Sequence, residues 1–213
     1  MAVVLGFGVF FDHTAATTAS SPEAAAALQA DLARQSASAN VREIAQWAID
    51  SGDHAGLPFV VVDKERARLF AFDGMGRLQA SAPVLLGALR GDAADPPATP
   101  AGRFVTHTWP SARTDAIVWV NGDVALSLYA LPSPASPGRG LQRLASDRVE
   151  DKRISDGSLH VASDFYQQFL APLRSQGSVA YVLPEVQAMH GMFASPGVRI
   201  ARTPGSTATR RPS

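Results

Sequence analysis

The stretch Arg153-Ile-Ser-Asp-Gly-Ser-Leu-His-Val161, RISDGSLHV, sets the texture of the chain. If it is extended, Leu159 and Val161 fall on one face and Asp156, Ser158 and His160, at i, i+2 and i+4, on the other. Two aliphatic residues then point into a core beneath three residues able to carry nucleophilic chemistry. A glycine, Gly157, sits among them.

The same period runs outward on both sides. Ile117–Val120 and Asp123–Tyr129 are strand-like and are joined by Asn121-Gly122, a hairpin signal. In the second strand Leu128 points to the core and Tyr129 away from it. Phe59–Asp63, Arg68–Asp73 and Leu78–Gly87 read as a meander with a turn at Asp73-Gly74. Gly91–Pro100 is a Gly/Asp/Pro-rich loop feeding the tight turn Thr99–Phe104, and Pro132–Gly140 is a second breaker-rich loop. After Val161, Ser163 is expected to cap a short helix carrying Phe165 and Phe169 and ending near Pro172, before a last buried strand over Ser178–Leu183. Upstream, Ser21-Pro22-Glu23 opens one helix, with Leu28 and Leu32 on its apolar edge. Asn40–Glu43 has capping-box spacing for a second helix, which presents Ile44, Trp47 and Ala48 and ends at Ser51-Gly52. Short strands separated by turn signals, with helices at the margins, predict a β-rich α+β fold: a β-sandwich or barrel with peripheral helices.

The bulk numbers narrow the function. At 213 residues and 46% hydrophobic content the chain has room for one cored domain with a leader and a tail. Acidic and basic residues balance at 19 each, so no global field favours nucleic acid as a partner. The chain has no cysteine, which removes disulfides, thiolate metal sites and thiol catalysis. The five histidines (His13, His54, His107, His160 and His190) have no spacing that makes a metal site, and Gly6 and Gly8 fit no phosphate loop. Neither a metal nor a cofactor is expected.

Ala2–Phe11 is an unbroken apolar run of the length of a signal h-region, and Thr17-Thr18-Ala19 behind it is a tolerable cleavage site, although no basic n-region precedes it. Residues 1–21 are therefore read as a signal peptide or membrane anchor, 22–56 as a helical segment, 57–185 as the main domain, and 186–213 as a flexible tail. That tail carries Arg199, Arg202, Arg210 and Arg211 and no acid. This organisation predicts a periplasmic or cell-envelope location.

Three stretches together resemble the catalytic domain of the L,D-transpeptidases, bacterial enzymes that cross-link peptidoglycan stem peptides. Phe59–Gly87 (FVVVDKERARLFAFDGMGRLQASAPVLLG) is similar to the family's opening strands, and Thr99–Phe104 (TPAGRF) to its Thr-Pro-x-Gly-x-Phe turn. Arg143–Glu185 is similar to its nucleophile loop, following helix and closing strand. Against the family's Ser-His-Gly-Cys motif, Ser155 and Gly157 match. Ser158 stands at the cysteine position, Asp156 at that of the His or Tyr, and His160 at that of the Arg or Asn. The family's Leu-Ser-Leu-His context is matched by Leu126-Ser-Leu-Tyr129, which puts Tyr129 at the second histidine position. The chain keeps the residues that shape the family's fold and departs at those that do its chemistry.

The resemblance implies two acyl transfers, in which a thiolate attacks the donor stem and an acceptor amine resolves the thioester. A thiol ionises near pH 8.5, whereas a serine hydroxyl needs a base to remove its proton during attack, and a phenol such as Tyr129 is mostly protonated at neutral pH. Side chains on one strand face project in parallel, so Asp156, Ser158 and His160 are expected to line a polar cleft rim rather than to form a triad. The resulting reading is an exported L,D-transpeptidase-like protein, catalytically impaired, that binds peptidoglycan stem peptides. One alternative is an active serine-dependent transpeptidase or peptidase. The other is a structural or interaction module without a peptidoglycan role.

Overall fold

The run Phe59-Val-Val-Val-Asp63 is buried at every position, and a strand buried on both faces needs a layer on each side. Both layers are present in a computed structural model of the chain, which describes residues 21–106, 116–132, 138–189 and 192–193. The apolar run Ala2–Phe11, the segment Thr17–Ala19, His13, His107, His190, Ser133–Pro137 and the arginine-bearing tail lie outside the described residues.

The strands are β1 (Phe59–Asp63), β2 (Arg68–Phe72), β3 (Leu78–Pro83), β4 (Leu86–Gly87), β5 (Gly102–Thr106), β6 (Ile117–Asn121), β7 (Val124–Ala130), β8 (Arg153–Ser155), β9 (Leu159–Val161) and β10 (Val179–Val182). Among the described residues, eight of them form one sheet in the order β3-β2-β1-β10-β5-β6-β7-β9, and β4 pairs with β8. The sheet curls until it nearly closes: Leu85, just beyond β3, forms a bridge with His160 in β9. The fold is thus a β-rich α+β architecture, a nearly closed sheet with helices at its periphery.

Alternation sorts the core in two. Val60, Val62, Leu69, Phe104, Trp119, Leu128, Leu159, Val161 and Val182 point inside the curl. Phe59, Val61, Phe70, Phe72 and Tyr181 point outward, where α1 (Pro22–Arg34) and α2 (Ala39–Ser51) cover them with Leu28, Leu32, Val41, Ile44 and Ala48. The helical segment is therefore packed on the sheet through a shared core. Among the described residues no helix is long and apolar enough to cross a membrane.

Three local expectations are corrected. The second helix is capped by Ser38, whose Oγ accepts from Val41 N–H at 3.2 Å, so it begins one residue before the Asn40 box. In the β6–β7 hairpin Asn121 still pairs with Val124, leaving Gly122-Asp123 as the two-residue loop; Gly122, at φ +58°, supplies the positive dihedral that the turn requires. Ser163 makes no side-chain cap. The short helix α3 begins there (Ser163–Phe165) and widens into a π-helical turn over Tyr166–Leu170, which buries Tyr166 and Leu170 and leaves Phe165 and Phe169 half-buried.

A buried ion cluster fastens the loop Gly91–Pro100 to this frame. Lys64 Nζ, with its side chain fully buried, donates to Gly91 O (2.5 Å), Asp92 Oδ1 (2.8 Å) and Thr99 O (2.8 Å). Asp92 also accepts from the backbone N–H groups of Glu185, Val186 and Gln187 at 2.7–2.9 Å. The buried Glu185 carboxylate pairs with Arg153 and lies 3.6 Å from Lys64. Burial pushes the Asp92 carboxyl up, but the Lys64 ammonium and the three N–H donors outweigh it and hold the group at about 2, against an ordinary 3.8.

A carboxyl with a depressed folded pKa contributes stability above its unfolded value and loses it as pH falls through the folded one. From these two pKa values the Asp92 contribution is about 2 kcal/mol, lost between about pH 4 and pH 2. Asp92→Asn should therefore be less stable at pH 7, by at least the carboxylate's own contribution of about 2 kcal/mol and by less than the cost of a fully orphaned charge, about 3–5 kcal/mol, because Glu185, 3.6 Å from Lys64, keeps part of the counter-charge. It should also lack that part of the acid transition. Urea unfolding of both proteins from pH 7 to pH 2 checks this, and parallel pH profiles would contradict it.

Candidate functional site

The site forms where β7 and β9 run parallel, pairing Leu128 with Leu159, Tyr129 with His160 and Ala130 with Val161. This register sends Leu128, Leu159 and Val161 into the core and turns Tyr129, 37% exposed, and His160 outward. The rings of Tyr129 and His160 stack with centroids 5.4 Å apart. On the other side of β9, Leu85 and His160 exchange backbone hydrogen bonds, and β4 pairs with β8, so the segment between β8 and β9 is held from two directions.

That segment is not extended. β8 stops at Ser155, and Gly157 takes φ +113°, which turns the chain before β9 begins at Leu159. A side chain at Gly157 would place its Cβ 2.7 Å from Ala98 O, so the close approach of this turn to the Gly91–Pro100 loop requires glycine. The loop is gripped from its other side by Gly87, whose N–H donates to Thr99 Oγ1 at 2.8 Å.

The bend overturns the expected parallel projection of the three polar side chains. Asp156 folds back, and Ser158 Oγ lies 2.6 Å from Asp156 Oδ1 and 3.0 Å from His160 Nε2. Asp156 Oδ1 also accepts the Ser158 N–H at 3.2 Å, while Gly157 N–H donates to Ser155 Oγ at the same distance. Ser155 Oγ in turn donates to Ser158 O at 2.6 Å. The hydroxyl hydrogen has one place to go. At 2.6 Å an ionised carboxylate needs it, so Ser158 donates to Asp156 and accepts from a protonated His160 Nε2. The Ser158 hydroxyl and amide N–H hold the Asp156 carboxyl below the usual carboxylate range. Burial lowers the His160 pKa from its ordinary 6.5, and the charge of Asp156 opposes that in part.

Ser158, Gly157, Asp156 and Tyr129 line one cleft of about 400 Å³, which is also walled by Ala94, Pro96, Ala98 and Pro100 and lined by Asp123 and Ser127. His160 reaches this cleft through Ser158. The sequence reading identified the loop as a loop but gave it no role. Its Pro-Pro step and the abutting Thr-Pro-Ala-Gly turn are the signals of a rigid wall. Lys64 sits in the charged run Asp63–Arg66, and no local pattern marks it as the anchor of that wall. Buried His54 is outside the site, its Nδ1 2.9 Å from Leu57 O. Among the described residues no three His, Asp or Glu side chains gather as a metal-binding group.

No protein-family model matches the chain, and no curated protein does. Among solved structures, the chain is similar to Bd1075 of Bdellovibrio bacteriovorus, at 16% identity and a TM-score of 0.37, over 62% of this chain and 49% of that one. It is also similar to the helical cell shape determining protein Pgp2 of Campylobacter jejuni, at 11% identity and a TM-score of 0.37, over 62% of this chain and 48% of that one. The match spans about half the length of either neighbour.

An imidazole packed under a phenol ring and beside a carboxylate is expected to titrate below 6.5. Tyr129→Ala should raise that pKa by opening the ring to water, and Asp156→Asn should lower it further by removing a charge that favours the imidazolium. NMR titration of the His160 ring protons checks both signs. A Tyr129→Ala protein whose His160 titrates where it did before would show that the stack does not dry the ring.

Proposed function

We propose that this chain is an L,D-transpeptidase-like domain of the bacterial cell envelope that binds peptidoglycan stem peptides in the Ser158 cleft without acylating on them. What carries the second half of this reading is the Ser158 hydroxyl, donated to an ionised carboxylate and capped by an imidazole N–H. In that state His160 Nε2, the nitrogen that faces the hydroxyl, has no free lone pair with which to take the proton. The available base is Asp156, a carboxylate weakened below its usual pKa and far too weak to deprotonate an alcohol at low cost. The backbone donors that could stabilise an oxyanion are also engaged, Ser158 N–H by Asp156 and Gly157 N–H by Ser155.

The family half of the reading rests on the resemblance, and the way its stretches converge supports it. Pro100 of the Thr-Pro-Ala-Gly turn, Tyr129 of the Leu-Ser-Leu-Tyr strand and Ser158 of the nucleophile segment, remote in sequence, line the same cleft. An envelope location is inferred from the apolar run Ala2–Phe11. A second reading, an active serine-dependent transpeptidase or peptidase, is favoured by one observation, the 3.0 Å contact between Ser158 Oγ and His160 Nε2.

Intact-mass measurement after exposure to a tetrapeptide stem or a carbapenem separates the two. The natural chain should gain no mass and should still be retained on purified sacculi. An acyl adduct mapped to Ser158 would establish the second reading, and failure to bind sacculi would favour an interaction module unrelated to peptidoglycan. Ser158→Cys should acylate slowly, and Ser158→Cys with Tyr129→His markedly faster, because the second change returns an imidazole to the family's position.

A further inference from the structure

We infer that Asp156 is a latch on Ser158, and that its removal converts the Ser158–His160 pair into a working nucleophile and base. The inference rests on the same cleft as the proposed function but concerns a reactivity that the natural chain withholds.

One carboxylate oxygen, Asp156 Oδ1, takes both donors of Ser158, the hydroxyl at 2.6 Å and the amide N–H at 3.2 Å. These are the two groups an acyl- or phosphoryl-accepting serine must have free: the hydroxyl proton for a base, and the amide for the oxygen that becomes negative. A base is already in reach, with His160 Nε2 at 3.0 Å from Oγ, and its position is fixed by the backbone pairs to Leu85 and Tyr129 and by the stack on Tyr129. Only its proton is in the wrong place. While Asp156 takes the hydroxyl hydrogen, Oγ acts as acceptor toward His160, so Nε2 carries a proton and cannot receive one. With the carboxylate gone, the acceptor left to the hydroxyl is Nε2. The neutral imidazole then moves its hydrogen to Nδ1, and Ser158 donates to it.

The same substitution frees the Ser158 N–H, so base and oxyanion donor are released together. Asp156 is exposed and, among the described residues, its side chain bonds to Ser158 and to its own backbone, while Gly157 and the β4–β8 and β7–β9 pairings hold the turn independently. The latch is therefore separable from the fold.

The probe is an alkyl fluorophosphonate. Ser158 Oγ attacks phosphorus, the hydroxyl proton passes to His160 Nε2, the O–P bond forms, and the P–F bond breaks with fluoride leaving. Labelling is followed by intact mass and located by peptide mapping in the natural full-length chain, Asp156→Ala, Asp156→Asn, and Asp156→Ala combined with His160→Gln, with thermal unfolding of each as the control for folding. Asp156→Ala should label at Ser158 at least about 100-fold faster than the natural chain, the low end of what a restored general base alone contributes. Asp156→Asn, which keeps an acceptor oxygen but no charge, should fall between and supplies the comparison if the alanine variant unfolds. Adding His160→Gln should return labelling to the natural rate. The inference is overturned if Asp156→Ala labels no faster than the natural chain, if its acceleration survives His160→Gln, or if the natural chain already labels at the variant's rate. Retention on sacculi is scored separately: a natural chain that does not bind them defeats the proposed function and leaves the latch result standing.

Discussion

The Lys64–Asp92 pair is the interaction on which the cleft depends. Lys64 leaves the end of β1 and is fully buried, so its charge is tolerable only where counter-charge and acceptors surround it. It meets that condition by gathering Gly91 O, Asp92 and Thr99 O, which are the two ends of the loop that walls the cleft. Asp92 spends its remaining lone pairs on the backbone just beyond β10, and Arg153, through Glu185, adds the start of β8. One buried ammonium thus ties together the first strand, the cleft wall, the chain after the last strand and the approach to Ser158. Such clusters contribute little net stability compared with apolar packing, but losing one partner is costly because the other remains buried. Its effect here is to fasten the wall to the frame at both of its ends.

Most of the sheet was legible because period-two alternation is a local property. Leu128 in and Tyr129 out, or Leu159 and Val161 in, follow from the pleat alone. The ends of elements were less legible. Asn40–Glu43 has the spacing of a capping box, but Ser38 caps the helix, which buries Val41 and Ile44 against the sheet. The π-helical turn was not legible at all. A four-residue spacing put Phe165 and Phe169 on one edge, but the core had room for Tyr166 and Leu170 instead, and the helix widened to bury them.

At the site the residues were legible and their geometry was not. Alternation correctly grouped Ser158 and His160, but it assumed that the segment stays extended through Asp156. One glycine at φ +113° breaks that assumption, and it does so because the wall presses within a Cβ's reach of it. The contact between Gly157 and Ala98 joins residues far apart in the chain, so no window of sequence contains it. The wall therefore sets the turn, the turn returns Asp156 to Ser158, and through this chain of contacts the buried Lys64 bears on the hydrogen bonding of a half-buried hydroxyl.

This explains why serine is compatible with a loop that resembles one built for a thiol. A thiolate beside Asp156 would be raised in energy by the adjacent negative charge, whereas a neutral hydroxyl is stabilised by the same carboxylate through a charge-assisted hydrogen bond. With Asp156 in place the neutral serine is therefore the better-satisfied occupant of that position. The polar groups of the turn are closed on one another, Ser155 to Gly157 and Ser158, Asp156 to Ser158, Ser158 to His160. A ligand entering the cleft must therefore either exchange one of these bonds, at a net cost of about 1 kcal/mol each, or lie against the Ala94–Pro100 wall and Tyr129. The second course leaves every one of these bonds in place.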